Sequence, residues 1–198
     1  MGQKEKNIAV IVSGVAGSGK SVLCEKIASY FKLEYVPTSG FLRKIIEEEL
    51  SKKNIDAVKN TGFWESAEGK RFMAERTANP EFDKELDNEL LKLIEKGNIV
   101  LDSWTMPWLS KKGFKIWLTA SDKVRFERLS LRNKKSIEEV AASIREKEEK
   151  TAAIYKRIYG FEWGKDLGVF DLLIETDDFT EQEVFEAAKK AVEGYFSK

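Results

Sequence analysis

Residues Gly14–Ser21 read Gly-Val-Ala-Gly-Ser-Gly-Lys-Ser, the G-x-x-x-x-G-K-S spacing of a phosphate-binding loop. The run ahead of it, Ile8-Ala9-Val10-Ile11-Val12, is apolar without alternation, as in a strand buried on both faces. Behind it, Val22, Leu23, Ile27 and Ala28 recur at helical spacing. Strand, glycine loop and helix in that order turn a string match into a mechanism.

The residue types follow from the chemistry. Gly14, Gly17 and Gly19 admit backbone angles and close approaches that a side chain blocks. With Val15, Ala16 and Ser18 between them, the loop can turn its N–H groups inward as an anion nest, and the helix N-terminus adds favourable partial charge. Lys20 is spaced to reach the β- and γ-phosphates of ATP or GTP, and the Ser21 hydroxyl to ligate Mg²⁺.

Working outward, 198 residues suit one α/β domain, 1–198, with room for a small inserted lobe. Lys plus Arg equals Asp plus Glu at 34 each, so no global charge draws the chain to nucleic acid or an anionic membrane. The absence of histidine excludes imidazole acid/base catalysis, Ser–His triads and imidazole zinc sites. The one cysteine, Cys24, rules out an internal disulfide and lies on the apolar face of the helix after the loop, as a buried small residue would. No run approaches a membrane span and no signal-peptide core is visible, so a cytoplasmic protein, and a monomer, is the expectation.

Further strands are expected at Leu33–Val36, ended by Pro37, and at Ile99–Leu101, Lys115–Leu118 and Leu172–Ile174. Helices are expected from Gly40 to Leu50, Pro80 to Lys96 with Gly97 as its stop, Lys123 to Arg132, Ser136 toward Tyr159 with a Ser136/Glu139 capping box, and after Thr180. Residues 51–79 look like helical pieces of a separate lobe. The alternation predicts a five-stranded parallel sheet covered by helices on both faces.

Asp102 ends a short apolar strand, where it can serve as the acid that holds Mg²⁺ or simply open a turn. Arg128 and Arg132, four apart on one helix, can converge on a transferring phosphoryl, with Arg125 able to join them, or form a solvated face. Arg43 is a candidate clamp for an acceptor phosphate or a solvated arginine. Of five tryptophans, Trp117 reads as core, whereas Trp104 and Trp108 flank Pro107 in the loop after Asp102. There they can stack on a base or sugar, or pack as core or lid.

Together these residues resemble the short, archaeal-type cytidylate kinases, a branch of the nucleoside monophosphate kinases with a P-loop fold. The likeness runs over most of the chain. It includes Phe41-Leu42-Arg43, Asn79 to Asp83, Lys96 to Leu101, Lys115 to Leu118, Val124-Arg125 to Arg128 and Arg132, Tyr155 through Gly160, and Phe170 to Ile174. It implies transfer of the γ-phosphoryl of ATP, with Mg²⁺, to a nucleoside monophosphate such as CMP or dCMP. It further implies that Arg43 touches the acceptor phosphate, that Arg128 and Arg132 flank the transferring group, that an acceptor lobe covers about 40–82, and that a lid covers about 133–160.

Departures from the family pattern concentrate on the acceptor side. Asp102-Ser103-Trp104 stands where Glu-Gly-Arg is usual, Asn88 replaces a basic residue, and Ala152 and Ile154 replace lid arginines. Lys70, Arg71 and Arg76 in the longer lobe are available as compensating cations. Two other readings therefore stand beside the first: a P-loop kinase of another small metabolite, and a nucleotide-binding regulator without transfer activity.

Overall fold

The computed structural model describes residues 7–38 and 81–197. Its strands are β1 (Ala9–Gly14), β2 (Glu34–Pro37), β3 (Ile99–Asp102), β4 (Phe114–Thr119) and β5 (Leu172–Glu175). They form one sheet in the order β2-β3-β1-β4-β5, and every neighbouring pair is parallel. The described helices are α1 (Lys20–Phe31), α2 (Glu81–Lys96), α3 (Met106–Leu109), α4 (Asp122–Asn133), α5 (Ile137–Tyr159) and α6 (Glu181–Phe196). The expected helix from Gly40, the lobe at 51–79 and Arg43 lie outside the described residues.

The unalternated apolar run of β1 has a direct cause. Successive side chains of a strand point to opposite faces, and here both faces are core. Val10 and Val12 pack with Leu23, Cys24 and Ile27 of α1 and Ala188 and Val192 of α6. Ala9 and Ile11 pack on the other face with Leu86, Leu90 and Ile94 of α2 and with Met106. Each Val, Leu, Ile or Met among them, taken fully from water, contributes roughly 1.5–3 kcal/mol. Cys24 is wholly buried, and that burial pushes its thiol pKa well up, so it serves as packing.

Strand ends differ by a residue or two from the reading of apolar runs, because pairing rather than hydrophobicity decides them. β1 continues to Gly14 because Ser13 and Gly14 still pair with Trp117 and Leu118 of β4. Pro37, expected as a terminator, is instead the last residue of β2, opposite Asp102. β2 is an edge strand, where a missing N–H costs no ladder bond.

Helix termini follow the sequence signals closely. Ser136 and Glu139 form the expected capping box at the start of α5, and Thr180 and Glu183 form another at α6. β1 sits between β3 and β4, so the chain crosses to opposite sides of it, and a crevice opens at the carboxyl ends of these strands. Residues 15–19, Asp102 and Trp104 all lie at that edge.

Candidate active site

The phosphate loop is built before any ligand contact. Val15 N–H donates to the Leu118 carbonyl at 3.2 Å, tying the start of the loop to β4. The Val15 carbonyl then gathers the loop: Ser18 Oγ donates to it at 2.9 Å and Lys20 Nζ at 2.8 Å. Gly17 and Gly19 both take positive φ, 84° and 92°. Lys20 is only 9% exposed. Burial lowers its pKa, while the charges of Asp102 and Glu148 oppose that and Arg132 adds to it. An ammonium held this dry favours an anionic partner.

The structure brings Ser21 and Asp102 together. Ser21 Oγ donates to Asp102 Oδ2 at 3.1 Å, joining the first turn of α1 to the end of β3. Tyr35 of β2, which sequence reasoning passed over, lies half-buried close to Ser21 and Asp102, and burial raises its hydroxyl pKa so that it stays neutral. A hydroxyl and a carboxylate side by side are the hard oxygen donors Mg²⁺ prefers. Among the described residues no cluster of three or more acidic, Cys or His side chains could cage a metal.

The two arginines face different parts of the site. Arg128 donates from Nη1 to Thr176 Oγ1 at 2.9 Å and from Nη2 to the Thr176 carbonyl at 2.8 Å. Held this way, it lines a cleft of about 110 Å³ with Gly19, Val22, Leu23, Thr176 and Phe179. A fixed guanidinium and a half-exposed Phe ring offer the flat surfaces on which a base stacks. Arg132 is exposed and near enough to Lys20 to disfavour its charge, on the phosphate side. Arg125 does not join them: it is buried and ion-paired to Asp122 and Glu148. Thr176 and Phe179 carried no motif and were missed by the sequence reading.

Opposite the loop, aromatic rings knit the end of α5 to the β3–α3 segment. Trp104 stacks on Trp163 at 4.6 Å, and Lys147 Nζ lies 5.5 Å from the Trp104 ring. Trp104 is thus already engaged, and stacking on a base requires those contacts to open. Trp108 stacks on Phe161 at 4.5 Å and donates from Nε1 to the Asp166 carbonyl at 2.8 Å, so it packs against the segment that follows α5. Trp117 is core, 3% exposed. Ile154, at a position where the resemblance led to an arginine being expected, is buried with Tyr155 and Phe161. Asp87, next to Asn88, accepts from Thr105 Oγ1 at 2.8 Å and Tyr159 Oη at 2.5 Å, linking α2, α3 and α5. Burial and this carboxylate raise the Tyr159 pKa.

Comparison with known proteins agrees with this geometry. The model of the cytidylate kinase-like family matches residues 9–178. The cytidylate kinase of Pyrococcus horikoshii is 29% identical over 187 residues, which span 94% of this chain and 88% of that protein. That of Pyrobaculum arsenaticum is 33% identical over 171 residues, spanning 85% and 84%. Among solved structures, the shikimate kinase from Acinetobacter baumannii in complex with shikimate superposes with a TM-score of 0.54 at 15% identity, covering 98% of this chain and 95% of that one, a likeness of fold. With a formed phosphate loop at the switch point of a parallel sheet and a family match over most of its length, the chain belongs to the cytidylate kinase-like family and is a kinase.

Proposed function

We propose that this protein transfers the γ-phosphoryl of ATP to a nucleoside monophosphate, with CMP or dCMP favoured, giving the diphosphate and ADP. The observation that carries the reading is the convergence of Lys20, Ser21 and Asp102 at the mouth of the loop, in a chain of this family. Lys20 and Arg132 balance the charge of the β- and γ-phosphates, and Arg128 supports the donor base in the cleft beside α1. Ser21 and Asp102 would hold Mg²⁺, which would supply neutralisation of the donor's phosphate charge. Arg43 and Trp104 serve the acceptor, in a lobe of about 40–82, and a lid of about 133–160 excludes the water that would compete with it.

A coupled assay across all ribo- and deoxyribonucleoside monophosphates tests this. Turnover is expected with CMP and dCMP foremost; none with any monophosphate refutes it. Asp102→Asn keeps the hydrogen bond from Ser21 and removes the charge. The Mg²⁺ concentration for half-maximal rate is then expected to rise by about tenfold, the equivalent of 1.4 kcal/mol. A magnesium titration of the variant checks it.

One observation favours a second reading, a kinase of another small metabolite. Uncharged Trp104 and Ile154 stand where the family pattern carries arginines; Trp104 stacks on Trp163 and Ile154 is buried among aromatic rings. An acceptor without a phosphate needs fewer cations. Thermal stabilisation by a metabolite, and not by CMP, selects this reading.

A further inference from the structure

The phosphate loop already carries an anion from its own chain. Ala16 N–H donates to Glu148 Oε1 at 3.0 Å, and Glu148 sits at the midpoint of α5. Both oxygens of that carboxylate also accept from Arg125 Nη1, at 2.9 and 3.1 Å. The pair is nearly dry, with the Glu148 side chain 12% and the Arg125 side chain 7% exposed. Arg125 is anchored in turn by Asp122, its Nε donating to Oδ1 at 2.8 Å, and Asp122 also accepts from Arg145 Nη2 at 2.8 Å. α4 itself lies hard against the loop: a Cβ on Gly17 would fall 2.7 Å from the Arg125 carbonyl oxygen.

The position of this contact along the loop matters. Lys20 Nζ rests on the carbonyl of Val15, the residue before Ala16, and the lysine of such loops reaches the β- and γ-phosphates. Ala16 N–H therefore belongs to the terminal-phosphate end of the nest. A terminal phosphate arriving there meets a like charge on the donors it needs. Glu148 and that phosphate cannot both hold Ala16 N–H and Arg125 Nη1.

We infer that the Glu148 carboxylate is an internal stand-in for the donor's terminal phosphate, a positioning residue that clips α5 across the loop and surrenders Ala16 N–H and Arg125 to a triphosphate. This rests on the donor reading proposed above. A diphosphate leaves the clip in place, because its phosphates stop short of the Ala16 end. The device thus biases the site against triphosphate, and opening it makes lid position depend on the terminal phosphate.

The test is calorimetric titration of the full-length protein with a non-hydrolysable ATP analogue and, separately, with ADP. Glu148→Gln keeps the shape and one acceptor oxygen but not the charge; Glu148→Ser shortens the side chain so that it no longer reaches the loop. Both variants are expected to bind the analogue about five- to tenfold more tightly than wild type, with ADP affinity changed by less than about twofold. KM for ATP should fall in parallel while kcat does not rise. A Glu148 that only braces the fold would lower the melting temperature and leave the analogue-to-ADP affinity ratio unchanged. An unchanged ratio, or a weaker analogue, overturns the inference. Wild-type protein that binds neither nucleotide would instead overturn the donor reading itself.

Discussion

Lys20→Met is expected to leave the protein folded and lower kcat/KM by about a thousandfold, or ~4 kcal/mol of transition-state stabilisation. The two halves of this result have separate causes. Lys20 Nζ makes its hydrogen bond to the Val15 carbonyl from a side chain only 9% exposed, and burial disfavours its charge. Replacing a desolvated charge with an apolar side chain of similar length removes that cost, so stability holds or rises slightly. The same ammonium rests on the Val15 carbonyl, at the end of the loop where the proposed transfer develops charge, and the neighbouring arginines are placed differently: Arg132 is exposed and Arg125 is anchored by Asp122. Steady-state kinetics and thermal unfolding, each with and without nucleotide, check the two halves together. Activity within tenfold of wild type would remove Lys20 from the proposed mechanism.

Gly14→Ala acts on the fold instead. Gly14 has φ +143°, and a Cβ there would sit 2.0 Å from the Leu118 carbonyl oxygen, with the Leu118 carbonyl carbon and nitrogen at 2.8 and 2.9 Å. All three are backbone atoms of the neighbouring strand, so no rotamer change can make room. The register pairs Gly14 with Leu118, and the Leu118 oxygen is also the acceptor for Val15 N–H. An alanine must either part β1 from β4 at the centre of the sheet or break the bond that launches the loop. A loss of about 4 kcal/mol or more is expected, a large share of the 5–15 kcal/mol typical of a domain. Thermal unfolding should fall by about 10 °C or more. A melting temperature within about 3 °C of wild type would show that the strands can separate cheaply here.

Much of the fold was legible because its signals are local. The strand–loop–helix order around Gly14–Ser21, the capping box at Ser136 and Glu139, and Asp102 at the end of an apolar run each lie within a few residues, where backbone geometry acts directly. The site was legible only where it shared that locality. Arg128 and Arg132 share a helix face by spacing, yet Thr176, 48 residues onward, holds Arg128 at the cleft wall while Arg132 is felt by Lys20. Trp104 had an open choice between ligand and packing, and only the fold brings Trp163 onto its ring. Periodicity tells which face of a helix is apolar but not which distant element will cover it.

The sequence by itself determined that this chain forms a phosphate loop on a parallel sheet, since glycine freedom, β1's two-sided apolarity and the Lys-Ser pair are properties of adjacent residues. Only the tertiary structure decided what closes over that loop. Glu146, Glu148 and Glu149 are equivalent by composition, and just one of them meets Ala16, 132 residues away. That selection comes from the packing of α4 on α5 through Phe126, Leu129 and Val140, with Ala16 against that cluster. Packing geometry, not residue type, turned an ordinary glutamate into a competitor for the donor's phosphate.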